Sequence, residues 1–148
     1  MKNILNFITV LTSFFLLNSC ANYTIPMDSF KQQFAGIDST TLEQVKVRGP
    51  MGESFEYPAN PIKIIHCLDK KGQEIKLENK PSIEIRFTHG QENKRTIFYF
   101  DRVIISDSNV VGVQSRFISA IGKSIPLHDI TKIEVQDGKK DFKYVSQK

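Results

Sequence analysis

Residues 83 to 88, Ile-Glu-Ile-Arg-Phe-Thr, alternate apolar and polar without a break. Successive side chains of a strand point to opposite faces. The spacing therefore predicts a strand with Ile83, Ile85 and Phe87 on one face and Glu84, Arg86 and Thr88 on the other. The same period recurs in Val45-Lys46-Val47-Arg48 and in Ser54-Phe55-Glu56-Tyr57, and Ile62 to Leu68 and Glu74 to Leu77 read as further strands. Turn signals separate these runs: Gly49-Pro50-Met51-Gly52, Pro58-Ala59-Asn60-Pro61, Asp69-Lys70-Lys71-Gly72 and Ser106-Asp107-Ser108-Asn109. Val110 to Val113 completes a tight hairpin with Val103-Ile104-Ile105. Thr96 to Phe100 is apolar on both faces, which predicts a central strand. Ile125 to Ile130 reads as a loop with a helical turn. Ile133-Glu134-Val135 and Phe142-Lys143-Tyr144-Val145 read as a closing hairpin around Asp137-Gly138.

One stretch has the helical period instead. Met27, Phe30 and Phe34 recur at three and four residues. Asp28 or Ser29 can cap the start and Gly36 can end it. The expected structure is a short helix whose apolar face docks on the domain; the alternative is a helix lying on a membrane surface. Short strands with turns every ~8–12 residues predict a mainly β fold: a single small β-roll, sandwich or SH3-like barrel with one short N-terminal helix.

The N-terminus follows neither period. Ile4 to Leu17 is almost entirely apolar or small, behind a single positive charge at Lys2. As a helix this run reaches roughly 21 Å, short of the ~30 Å hydrocarbon core of a bilayer. Basic start, apolar centre and small polar end form the layout of a secretory signal peptide. The run ends in Leu17-Asn18-Ser19-Cys20, which resembles the lipobox of bacterial lipoproteins; Asn18 stands where Ser, Thr, Ala or Val is more usual. The resemblance implies that Cys20 receives a diacylglyceryl thioether, that signal peptidase II cuts between Ser19 and Cys20, and that the new amino group is acylated. Two readings compete: ordinary signal-peptidase cleavage after Ala21, since Ser19-Cys20-Ala21 is small-x-small, and an uncleaved apolar N-terminus. The expected organisation is a signal peptide at 1–19, a lipidated tether at 20–26 and a mostly-β domain at 27–148.

Composition then narrows the picture. Removing residues 1–19 from 148 leaves 129, the size of one ordinary domain. Loss of Lys2 lowers the formal net charge from +4 to +3. So mild an excess bears on solubility more than on partners, and an exported chain does not meet nucleic acid. With Cys20 lipidated, Cys67 is the only other cysteine, which leaves a buried thiol or a reactive one.

Two further resemblances bear on the fold and the address. Residues 124–135, "SIPLHDITKIEV", look like the last strands of small SH3-like or Sm-like barrels, where the chain crosses the barrel before a final strand. Residues 82–145 resemble small uncharacterised lipoproteins of the Bacteroidetes type, which imply fold and address but no activity.

Candidate chemistry is thin. A metal site would draw on His66, Cys67, His89 and His128. Neighbouring His66 and Cys67 fall on opposite strand faces, and no CxxC or HxxxH spacing occurs. No metal and no cofactor is expected. No GxSxG motif or glycine-rich phosphate loop is present. His128-Asp129 reads as turn chemistry. The cluster Lys139-Lys140-Asp141-Phe142-Lys143 can touch anionic lipid head groups or simply line a solvated hairpin. Tyr57, Phe98, Tyr99, Phe100, Phe117 and Tyr144 exceed what one face of a thin sheet needs, so they are core packing, a partner surface or a pocket.

The expectation is a non-enzymatic lipoprotein, held to the membrane by lipid on Cys20, acting as a binding or assembly module with an envelope protein partner. Ala21 follows the cysteine, not the Asp that retains enteric lipoproteins at the inner membrane. This favours the outer membrane facing the periplasm. The alternatives are a periplasmic carrier of a hydrophobic ligand, motivated by strands apolar on both faces, and a small hydrolase with Cys67 as its thiol.

Overall fold

The computed structural model describes residues 21–116 and 122–145. The lipobox, Cys20 and Phe117 lie outside them. In chain order the elements are β1 (Asn22–Thr24), α1 (Met27–Gln33), β2 (Glu43–Arg48), β3 (Ser54–Ala59), β4 (Ile64–Leu68), β5 (Glu74–Glu78), β6 (Ile83–His89) and β7 (Lys94–Tyr99). A 3-10 turn (Phe100–Arg102), β8 (Ile104–Ser106), β9 (Asn109–Val113), β10 (Gly122–Pro126), a second 3-10 turn (Leu127–Asp129), β11 (Ile130–Asp137) and β12 (Lys143–Tyr144) follow. Among the described residues the fold is mainly β with one α-helix, as the hydrophobic pattern predicts. The sheets are open: six strands in the order β5-β4-β1-β11-β6-β7, three in the order β10-β9-β8, and three in the order β12-β2-β3.

The six-stranded sheet holds the main core. Ile83, Ile85 and Phe87 of β6 are buried on one face, as their spacing requires. Phe30 and Phe34 of α1 come down onto that face. Phe30 meets Phe87 edge-on at 5.5 Å between ring centroids, and Phe34 meets Phe100 at 5.5 Å. The helix is pinned to β4 by Gln33, whose side-chain amide donates to the His66 carbonyl at 3.0 Å and accepts from the His66 N–H at 2.8 Å. That amide does for His66 what a neighbouring strand would. With Phe30 and Phe34 sealed, α1 has no apolar face left for a membrane surface. Its start carries Pro26 and no side-chain cap, in place of the expected Asp28 or Ser29. Gly36 follows at φ +76°, a conformation that suits glycine and stops the helix.

Four local expectations give way to long-range pairing. Residues 22–24 are a strand in the middle of the sheet and not a free tether: Asn22, Tyr23 and Thr24 pair with Gln136, Val135 and Glu134. The Thr96–Phe100 segment is not central; β7 ends the sheet, and its Phe98 is covered from the side by β9, where Gly112 leaves room for the ring. Residues 122–126 form strand β10, of which the expected loop kept only the turn at Leu127–Asp129. The hairpin around Asp137-Gly138 does not form, because β11 pairs with β6 and β1 while β12 crosses to β2.

Candidate functional site

The third sheet has its own small core of Val47, Tyr57, Ala59 and Phe142. Between this core and the main sheet sits the only ion pair among the described residues whose side chains are both fully buried, Asp101 with Arg116. The turn Phe100–Arg102 places Asp101. Asn60, just past β3, clasps that turn: its N–H donates to the Asp101 carbonyl at 2.7 Å and its side-chain amide donates to the Phe100 and Val103 carbonyls at 2.7 and 3.0 Å.

Three donors converge on the Asp101 carboxylate. Tyr57 Oη donates to Oδ2 at 2.6 Å, Tyr144 Oη donates to Oδ2 at 3.0 Å, and Arg116 Nη2 donates to Oδ1 at 3.4 Å. Arg116 Nη1 also donates to the Tyr57 oxygen. The Arg116 guanidinium lies 3.9 Å above the Tyr99 ring centre, with Tyr57 and Phe142 at 5.3 and 5.2 Å. Such stacking on aromatic faces offsets part of the cost of burying a cation. Arg102 lies 4.8 Å over the Tyr57 ring from another direction.

Burial first, then the charge on Asp101, pushes the Tyr57 and Tyr144 phenols well above their ordinary value. Both therefore stay protonated and act as donors. Burial pulls the Arg102 guanidinium down, against the pull of Asp101. Each Asp101 oxygen is occupied by a donor within the cluster, and no side-chain surface of Asp101 or Arg116 reaches solvent. The arrangement locks two sheets together and presents no free base or nucleophile. Its outermost member is Tyr144, 40% exposed on the two-residue strand β12.

Tyr144 also borders an open cleft of about 270 Å³, with Asn60, Asn79, Lys46, Lys63 and Ile62 among its walls. Lys46 and Lys63 are tied to Glu56 and Glu43 at 3.6 and 3.1 Å. Among the described residues, no thiol, serine or histidine lines it.

The residues singled out in the sequence scatter. Cys67 is buried, its thiol 3.6 Å from the Ile75 carbonyl, and burial pushes it up to about 11. His66 points to the opposite, exposed face. His89 Nε2 meets Thr96 Oγ1 at 2.9 Å, and His128 stands exposed 3.3 Å from Asp129. Among the described residues no three His, Cys, Asp or Glu side chains are grouped to hold a metal ion. Of the aromatic set, Tyr57, Tyr99 and Tyr144 converge on the Asp101 cluster, while Phe98 and Phe100 join the main core. Asp101, Arg102 and Arg116 escape a reading of the sequence. The one available signal is Asp101-Arg102, a charged pair set between apolar Thr96–Phe100 and Val103–Ile105.

Comparison with known proteins finds no matching family model, no matching curated protein and no matching solved structure.

Proposed function

We propose that this chain is a membrane-anchored bacterial lipoprotein whose β domain is a non-catalytic binding or assembly module of the cell envelope. The anchor reading rests on the apolar run ending in Leu17-Asn18-Ser19-Cys20, and Ala21 after the cysteine, where Asp would retain an enteric lipoprotein at the inner membrane, favours the outer membrane facing the periplasm. One observation carries the non-catalytic reading. The strongest concentration of ionisable chemistry among the described residues, around Asp101, commits both carboxylate oxygens and both phenols to bonds within it, and the open cleft beside it is walled by amides, paired lysines and Glu78. Catalysis needs a group that can reach substrate and exchange a proton near neutral pH. The buried, proton-holding Cys67 thiol is poorly suited to serve as nucleophile. A carrier of hydrophobic ligand would need an empty apolar interior, and the space between α1 and the sheet is filled by Phe30, Phe34, Phe87, Phe98 and Phe100.

The test is capture of a partner from envelope extracts by two forms of the protein: the native chain, and one whose first twenty residues are replaced by a cleavable export signal without the cysteine. Enrichment of the same envelope protein by both forms supports a binding module. Enrichment by neither, together with hydrolysis of a general ester or peptide substrate, overturns it.

A further inference from the structure

The strand β1 begins one residue after Ala21, so the proposed lipid site at Cys20 is a single peptide link, about 3.8 Å between Cα atoms, from a residue at the domain surface. Because β1 lies between β4 and β11, nothing behaves as a spacer between anchor and sheet. Ala21 lines an open cleft of about 360 Å³ together with Tyr23, Leu77, Glu78, Lys80, Ile83, Asp137 and Lys139. Lys139 sits at φ +53° in a turn whose N–H donates to Asp137 Oδ1 at 2.9 Å. Of the basic cluster at 139–143, the other lysines are engaged. Lys140 holds Glu84 at 3.0 Å and Lys143 holds Asp141 at 3.0 Å. Lys139 has no ion-pair partner among the described residues, and Lys80 meets Glu78 only in an exposed contact of 3.7 Å. The chain thus brings to the point where the anchor leaves an apolar-floored cleft with Lys139, free of an ion pair among the described residues, and Lys80, held only by a surface contact, beside the Glu78 and Asp137 carboxylates.

Resting on the anchor reading, we infer that this end of the domain is a membrane-apposition surface: anionic phospholipid head groups are taken between Lys80 and Lys139, and the β6–β7 turn points away from the bilayer. The six residue steps along β6 from Ile83 to His89 separate the two ends by about 20 Å. Each lysine close to an anionic leaflet strengthens the attraction about fivefold.

The experiment uses the full lipidated chain in vesicles, with a fluorophore on Glu78→Cys in the cleft or on Glu92→Cys in the β6–β7 turn. The buried Cys67 thiol stays unlabelled at neutral pH. Quenching by head-group spin-labelled lipid is read in phosphatidylglycerol and in phosphatidylcholine vesicles. The inference expects stronger quenching at position 78 than at 92. The contrast should be larger on phosphatidylglycerol and should shrink when Lys80 and Lys139 are both changed to Gln. Equal quenching at the two positions, with the protein floating on the vesicles, overturns the apposition while leaving the anchor intact. A contrast that ignores lipid charge overturns the head-group site. A chain that carries no lipid and does not float overturns the anchor reading and this inference with it.

Discussion

The two cores of this domain are built on opposite principles. Under α1, the six-stranded sheet is filled by tilted and edge-on phenylalanine rings, with centroids 4.6 to 5.9 Å apart. Behind β12-β2-β3, a small apolar core of Val47, Tyr57, Ala59 and Phe142 abuts a buried carboxylate and guanidinium with tyrosines around them. Burial of apolar surface is non-directional and tolerates small shifts. A buried ion pair is stable only while every partner stays in place, and removing one leaves an uncompensated charge. The small sheet therefore depends on geometry, and the large one on volume.

The largest expected effect breaks the polar core. Asp101→Ala strands the Arg116 cation and two phenols, and the expected loss is about 3–5 kcal/mol in urea unfolding. Phe87→Ala in the apolar core should cost a similar ~3–5 kcal/mol, through a cavity and not through charge. The pair is told apart by replacing Asp101 and Arg116 together with apolar residues of similar volume. That double change should recover much of the loss, because buried ion pairs often exchange for apolar packing at little net cost. No second-site change of that kind restores Phe87→Ala.

Gly112→Ala probes how tightly β9 closes over β7. A Cβ there would stand 2.5 Å from the Phe98 ring, and such overpacking costs about 1–3 kcal/mol. Tyr144→Phe removes one donor from Asp101 at the exposed end of the cluster, with an expected loss of about 1–2 kcal/mol. The smallest effect is at the surface: Glu43→Gln, which unpairs Lys63, should change stability by less than about 1 kcal/mol.

Alkaline titration separates the same regions. The Cys67 thiol is raised from 9.0 to about 11 by burial. A raised thiol favours the protonated folded state, so its contribution is complete below pH 9 and is lost as pH rises toward 11. The Tyr57 and Tyr144 phenols, raised from 10.0, add losses of the same sign above pH 10. Cys67→Ala should flatten the fall between pH 9 and 10 and leave the steeper fall above it. A native chain whose stability is unchanged from pH 8 to 11 would contradict both assignments.

Strand-forming alternation was legible because it is local: β6 runs from Ile83 as its period requires, and α1 starts at Met27. Pairing was not. Asn22-Tyr23-Thr24 is too short and polar to announce a strand, and it becomes one only because β11 supplies partners. Asp137-Gly138 is a strong hairpin signal, yet the Gly138 N–H donates to the Ser82 carbonyl across the sheet and the chain is carried away. The Asp101 cluster assembles residues 57, 101, 116 and 144, and no spacing along a chain encodes such a meeting. The aromatic excess pointed to its walls but not to the charges inside.

The lipid on Cys20 remains the central claim, because the address and the orientation of the domain both hang from it. Its most direct test is the intact mass of the mature protein extracted from membranes. The account predicts residues 20–148 carrying a di- or triacyl modification. A mass that begins at Asn22 with no lipid would contradict it and make this a secreted, unanchored domain.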